Sequence, residues 1–244
     1  MRNLFVLTAI MLAGVAFAQD SIRRLPDGKP DFSGLYNIPY TPNMAQGKEQ
    51  DVPYTERGRQ AYLNHDSKDD PTANCWFPGV PRIMQSPYPA RIVQTHEYLV
   101  ILFEYETMFR MIPLDGRAHP TNMEPSFMGD SVGHWEGDTL VVDTTNLKDA
   151  PWTWLDTAGH QHSDALHVIE HFRPGAGGKV DYEFIVDDPK MYTKPWANSR
   201  PLTPLKPARG LPDLIEYNCS ENNRDVKHLI STKPALQPPP PAAR

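Results

Sequence analysis

Residues 128–173 read MGDSVGHWEGDTLVVDTTNLKDAPWTWLDTAGHQHSDALHVIEHFR, and the expected fold follows from this stretch. Two runs rich in β-branched and aromatic residues, 132–136 and 139–145, flank a Gly-Asp turn, which predicts a β-hairpin. A third run, 164–173, alternates apolar and polar residues with the period of a strand. The stretch also holds five of the nine histidines, with His119 just upstream. We therefore expect a sheet that carries imidazole and carboxylate groups.

Further short runs with strand composition lie on both sides of this stretch. They are 91–95, 98–105, 108–114, 179–187 and 213–219. Seven or eight short strands joined by tight turns predict a mainly β fold, an antiparallel barrel or sandwich, with a lipocalin-like barrel as the first choice. A barrel of about eight strands can enclose a cavity, where we expect a site.

Two helices are predicted, one at each end of the chain. Residues 55–64 have a helical pattern with Thr55 as N-cap, and residues 221–230 predict a helix that closes the core domain, 90–230. The tail, residues 231–244, contains four consecutive prolines and is expected to be disordered.

Residues 19–89 are rich in proline and in aromatic residues. Proline removes backbone donors, so long helices and central strands are not expected here. Disordered segments are poor in aromatic residues, so we expect an ordered arm that wraps the core.

Residues 1–18 have the features of a signal peptide. Arg2 precedes an apolar run, and Ala16-Phe17-Ala18 provides the small residues of a cleavage site. We expect a periplasmic or secreted protein without a membrane anchor. The formal net charge of the chain is −6, which argues against nucleic acid or an anionic membrane as a partner.

The chain has two cysteines, Cys75 and Cys219. An even pair in an oxidising compartment favours a disulfide that ties the early part of the chain to its end. Two free thiols or a shared metal are the alternatives.

Strand alternation places Glu170 on the same face as three apolar side chains. A carboxylate there is either a desolvated acid or base, or the partner of a cation. The second case would be a structural ion pair across the sheet, with Arg110 for instance.

The other candidates are histidines and the carboxylates near them. His162 and His167 could serve as acid or base. His134 could face a ligand, with Asp130 or Asp143 orienting the His134 ring. A loop could bring Arg117 and His119 to the same ligand. The full set is His134, His162, Asp164, His167 and Glu170 for catalysis and Arg117, His119 and Asp130 for ligand binding.

A metal site is an alternative interpretation of the same region. His160, His162 and Asp164 stand two residues apart and would share a face if the segment were extended, as in a facial triad for a divalent metal. The glycine at 159 is equally typical of a loop that turns into the next strand.

Four segments of the chain resemble a known family. They are LDGR at 114–117 with Pro120, GDSVGHWEGDTLVVDT at 129–144, HSDALH at 162–167, and the region from DDP at 187–189 to KPW at 194–196. They resemble a family of uncharacterised exported proteins common in acidobacteria and related soil bacteria, over about residues 30–225. The resemblance implies secretion and a single β-rich domain, and it implies no activity. An arginine follows the glutamate in that family, so the resemblance gives His171 no shared function.

These observations predict an exported enzyme that uses general acid-base chemistry without a cofactor. Its substrate would be a small carbohydrate or aromatic compound, and its reaction class would be that of a lyase, isomerase or hydrolase. The alternatives are a non-catalytic binder of a small ligand and a metal-dependent enzyme that uses His160, His162 and Asp164.

Overall fold

The computed structural model describes residues 22–207, 210 and 212–221. Within them the chain forms nine β-strands and one α-helix. The elements are β1 (Gly34–Asn37), α1 (Glu56–Asn64), β2 (Ala90–Gln94), β3 (Tyr98–Phe103), β4 (Phe109–Pro113), β5 (Asp130–Glu136), β6 (Thr139–Thr145), β7 (His167–Pro174), β8 (Val180–Asp187) and β9 (Trp196–Pro204). The predicted signal peptide, the tail at 231–244 and residues 222–230 of the predicted closing helix lie outside the described residues.

The nine strands form one antiparallel sheet in the order β4-β3-β2-β1-β9-β8-β7-β6-β5. The sheet curls into a nearly closed barrel, because its two outer strands approach each other. Arg110 on β4 donates to Ser131 Oγ on β5 over 3.0 Å, and the Gly116 N–H donates to the Gly133 carbonyl over 3.1 Å. The predicted antiparallel barrel is confirmed, and its closer likeness to lipocalins stays a prediction.

Two strands, β1 and β9, were not predicted from the sequence. The short strand β1 lies in the proline-rich arm and pairs with β2 on one side and β9 on the other. The prediction that the arm holds no central strand is therefore wrong, since four residues between Pro30 and Pro39 are enough to form one. The predicted last strand at 213–219 is also wrong, because its residues form turns and coil, and the last strand of the described chain is β9.

The interior of the barrel is filled by side chains. Inward-facing residues on neighbouring strands, such as Phe172, Tyr182 and Phe184, are fully buried and pack ring against ring at 5.0 and 5.9 Å between centroids. The arm contributes Phe32, whose ring lies 6.0 Å from that of Trp135. Burial of this much apolar surface is the main stabilising term of the fold.

The arm and the C-terminal part of the chain are tied to the barrel. Helix α1 begins as predicted, with Thr55 Oγ1 accepting from the Gly58 N–H. The predicted disulfide is confirmed: Cys75 and Cys219 are bonded, with Cα atoms 5.4 Å apart. None of the helices within the described residues has the length and apolar character that crossing a membrane requires.

Candidate functional site

Glu170 lies inside the barrel and is fully buried. Its Oε1 accepts from Arg110 Nη1 over 2.9 Å and from Tyr182 Oη over 2.7 Å, and its Oε2 accepts from Arg110 Nη2 over 2.6 Å. This is the structural ion pair that the sequence offered as the alternative to a catalytic role. Because Glu170, Arg110 and Tyr182 bond to one another inside the barrel, Glu170 cannot contact a ligand on the barrel surface.

His134 and His167 face outward, on the opposite side of the sheet from Glu170. His134 is 47% exposed and its Nε2 lies 3.2 Å from Glu136. His167 Nε2 lies 2.7 Å from Asp143, and both side chains are about one third exposed.

The loop after β4 brings His119 onto the same outer face. Its Nδ1 lies 2.6 Å from Asp130 and its Nε2 lies 2.8 Å from Asp143, so the two carboxylates hold His119 and not His134. Burial lowers the pKa of His119, but its hydrogen bonds to the two carboxylates outweigh that effect and raise the pKa overall. Arg117 is exposed, and its Nη1 lies 3.9 Å from the Asp115 carboxylate.

The three proposed metal ligands do not converge. His160 and His162 are buried, whereas the Asp164 side chain is 63% exposed and pairs with Lys190 at 2.6 Å. His162 Nε2 lies 2.6 Å from Thr153 Oγ1, and burial lowers the pKa of its ring. No group of three potential ligands that could hold a metal occurs within the described residues. The geometry does not support the metal alternative.

The expectation that the candidate residues line one pocket is therefore wrong. Strand alternation places Glu170 on the opposite face from the histidines on β5 and β7, and His162 lies in the loop between β6 and β7. The structure points instead to a loop in the same stretch, residues 154–160.

This loop holds a fully buried pair, Asp156 and His160. Asp156 Oδ2 lies 2.6 Å from His160 Nδ1 and also accepts from the Met44 N–H over 2.7 Å. A carboxylate oxygen accepts, so His160 Nδ1 donates the proton of this hydrogen bond. His160 Nε2 has no hydrogen-bond partner in the described part of the protein.

Aromatic rings surround His160, and we call His160, Asp156, Tyr54, Tyr62 and Trp196 the His160 cluster. The ring centroids of Tyr62, Tyr54 and Trp196 lie 4.9, 6.1 and 5.5 Å from that of His160. Tyr54 Oη and Trp196 Nε1 are also buried without a partner among the described residues. Since buried polar groups are almost always paired, three such atoms in one cluster mark this end of the barrel as a candidate site.

A groove of about 400 Å³ opens beside the His160 cluster, and we call it the His65 groove. Its polar lining consists of Asn64, His65, Asp66, Asp69 and Gln161. Ala61, Pro151 and Trp154 give it an apolar wall. Small-molecule sites typically have this size and this mixture of apolar wall and a few polar groups.

His65 follows the last residue of α1 and connects the groove to the cluster. Its Nδ1 contacts the carbonyl oxygen of Tyr62, which can only accept, so Nδ1 carries a proton in this contact. The Tyr62 ring lies 5.3 Å from His65 and 4.9 Å from His160, between centroids. His65 Nε2 makes no hydrogen bond to a described residue, and the ring forms part of the groove lining.

Gly159 provides the space that His65 occupies. A Cβ atom on Gly159 would lie 2.2 Å from His65 Cδ2, and the residue has φ +92°, a conformation that glycine adopts readily. The edge of His65 also packs on Trp154, with centroids 5.6 Å apart and planes at 88°. The imidazole is thus fixed from three sides.

The candidate residues predicted from the sequence did not include His65, Asp156 or the tyrosines of the cluster. One local signal was present: Asp156 and His160 are four residues apart, with a glycine directly before the histidine. No local pattern connects His65 to that loop, because the contact joins positions about a hundred residues apart.

Comparison of the chain with protein-family models, with curated proteins and with solved structures gives no match.

Proposed function

We propose that this protein is an exported enzyme that carries out general acid-base chemistry on a small carbohydrate or aromatic substrate in the His65 groove. The observation that carries the proposal is the placement of His65: its Nδ1 contacts the Tyr62 carbonyl, its Nε2 makes no hydrogen bond to a described residue, and its ring lines the groove with Asp66 and Asp69. An imidazole oriented in this way is the commonest group for proton transfer near neutral pH.

The groove supplies the other groups that such a reaction needs. The substrate lies against the apolar wall that includes Trp154, and Asn64 and Gln161 bind its hydroxyl groups. His65 Nε2 removes a proton from a hydroxyl or an acidic carbon, and the Tyr62 carbonyl holds Nδ1–H as positive charge develops on the ring. The protonated His65 then gives this proton to the leaving group or to the rearranged carbon, and Asp69, which also lines the groove, accepts a hydrogen bond from a substrate hydroxyl group.

The His160 cluster acts behind the groove as a positioning unit. Asp156 fixes His160, His160 packs on Tyr62, and Tyr62 in turn holds His65. Burial raises the pKa of Tyr62, with a further contribution from Glu49 and Asp156, so its hydroxyl stays protonated.

Export is supported by the Cys75–Cys219 disulfide, because such bonds persist in oxidising compartments. The predicted signal peptide agrees with this proposal. We propose a periplasmic or secreted location, with a small molecule as the partner.

The test is a turnover screen by proton NMR with a panel of nitrophenyl glycosides, uronides and simple phenolic esters. This readout detects hydrolysis, elimination and isomerisation alike. For any substrate that is turned over, His65→Gln should lower kcat by roughly a hundredfold or more, as expected for a lost general base, with KM nearly unchanged. His96→Gln is the matched control, because His96 is an exposed histidine outside the groove.

The results separate the possible roles. Binding of panel compounds without turnover would instead show that the protein is a non-catalytic binder of a small ligand. Turnover that survives His65→Gln unchanged would refute the assignment of His65.

A further inference from the structure

A second cavity lies on the other side of the 154–160 loop from the His65 groove. It has a volume of about 150 Å³, and its lining includes Arg82, Gln85, Tyr40, Tyr105 and Thr157. We call it the Arg82 cavity. Thr157 borders this cavity and Trp154 borders the groove, so the loop forms a wall of both.

The described residues that line the Arg82 cavity present no unpaired charge. Arg82 donates to both oxygens of Asp70, over 2.8 and 2.7 Å, and both side chains are at least nine-tenths buried. The remaining bonds of Arg82 Nη2 go to Thr72 Oγ1 over 2.8 Å and to Thr157 Oγ1 over 3.1 Å. An anion would have to break this buried pair, so an anionic ligand is disfavoured.

The uncharged groups of the cavity remain available. Gln85 is 2% exposed; its Nε2 donates to the Leu155 carbonyl over 3.0 Å, while its Oε1 has no partner among the described residues. Thr157 Oγ1 accepts from Arg82, so its own proton is free to donate. Burial raises the pKa of the Tyr105 hydroxyl, which therefore stays a donor. The cavity thus offers a neutral acceptor and neutral donors at short range.

Aromatic rings form the mouth of the cavity. Tyr40 is 55% exposed, and Tyr88 and Tyr105 pack against each other with centroids 5.2 Å apart. A hydroxylated ring suits this lining, because its hydroxyl groups both donate and accept while its C–H face packs on an aromatic ring. A cavity of about 150 Å³ has room for one six-membered ring.

We propose that the Arg82 cavity binds a single uncharged sugar unit, separately from the chemistry at His65. Gln85 Oε1 and Thr157 Oγ1 bind its hydroxyl groups, and Tyr40 covers one face of the ring. The site does not depend on the proposed function of the groove.

The test is isothermal titration of the purified full chain with the methyl glycosides of glucose, galactose and xylose. At least one should bind with a Kd of about 1 mM, which is the affinity expected for a ligand of roughly a dozen non-hydrogen atoms. Tyr40→Ala and Thr157→Val should each weaken that binding by about fivefold, through a lost ring contact and a lost hydrogen bond. Tyr40 is exposed, so its removal is compatible with folding.

Two controls locate the binding. Phe109→Ala removes an aromatic side chain of similar exposure on β4, and His65→Gln alters the groove, so both should leave the Kd unchanged. The proposal is overturned if none of the three glycosides binds with a Kd below about 10 mM. It is equally overturned if the Tyr40→Ala and Thr157→Val variants bind the glycosides as tightly as the wild type does.

Discussion

The substitution Glu170→Gln tests the buried polar group at the centre of the barrel. Both carboxylate oxygens of Glu170 accept hydrogen bonds, two from Arg110 and one from Tyr182. In glutamine one of these oxygens becomes an NH₂ group that faces a donor, and the Arg110 charge loses its counter-charge. Arg110 would keep its bonds to the hydroxyl groups of Ser131 and Thr144, but these neutral groups do not replace the counter-charge.

The expected cost is about 3–5 kcal/mol of unfolding free energy, the range for breaking one side of a buried ion pair. Urea unfolding followed by tryptophan fluorescence and by circular dichroism measures it, with the shift in midpoint taken at constant slope. Glu183→Gln is the matched control on the next strand. Glu183 also accepts from an arginine, Arg173 at 3.1 Å, but it is 31% exposed, and its loss should cost about 1 kcal/mol or less.

The double substitution Arg110→Met with Glu170→Leu removes both charges together. It should recover most of the loss, because apolar residues of similar volume often replace a buried pair at little cost. A loss below about 1 kcal/mol for Glu170→Gln, or a double variant as unstable as the single one, would refute this account of the barrel interior.

Three further predictions concern the outer face, the disulfide and the groove. The pKa of His119 is raised above its ordinary value of 6.5, so its contribution to stability is full below that pH and is lost as pH rises through the raised pKa. Urea unfolding from pH 6 to 8 should therefore show a decline in unfolding free energy that His119→Gln removes. Parallel pH curves for the wild type and the variant would contradict this. Replacing Cys75 and Cys219 by serine opens a loop of 144 residues and should lower the unfolding free energy by roughly 5 kcal/mol in the chain-entropy model. An unchanged thermal unfolding midpoint would contradict this. Gly159→Ala should displace the His65 ring, which would shift its imidazole NMR signal. It should also lower turnover in the groove and leave sugar binding in the Arg82 cavity intact. An unshifted His65 signal would contradict the packing of His65 on Gly159.

Most of the barrel could be predicted from local sequence patterns. The strands β2 to β8 all follow runs with strand composition, and β6 has the predicted bounds, 139–145. Alternation also identified the inward face of β7, where Val168, Glu170 and Phe172 are fully buried. Local periodicity reports which side of a strand is buried, and a hairpin turn reports which strands are neighbours.

The strands β1 and β9 were missed because proline obscures their pattern. Strand β9 includes Pro201 and Pro204, which count against a strand inside a sheet. The predicted site failed for a different reason. Strand alternation offered Arg110 as a possible partner of Glu170, but only the tertiary contacts show that this pair forms and that His65 meets Gly159.

The position of β1 also bears on the order in which the molecule can assemble. Tyr36, near the start of the chain, pairs with Pro204, so the barrel wall stays open until the last strand, β9, can pair with β1. The early chain must then wait in an extended or loosely collapsed form, with its apolar strand edges exposed. A protein of this topology is more exposed to aggregation while it folds than one whose neighbouring strands are also consecutive. Such long-range closure places it among the slower folders.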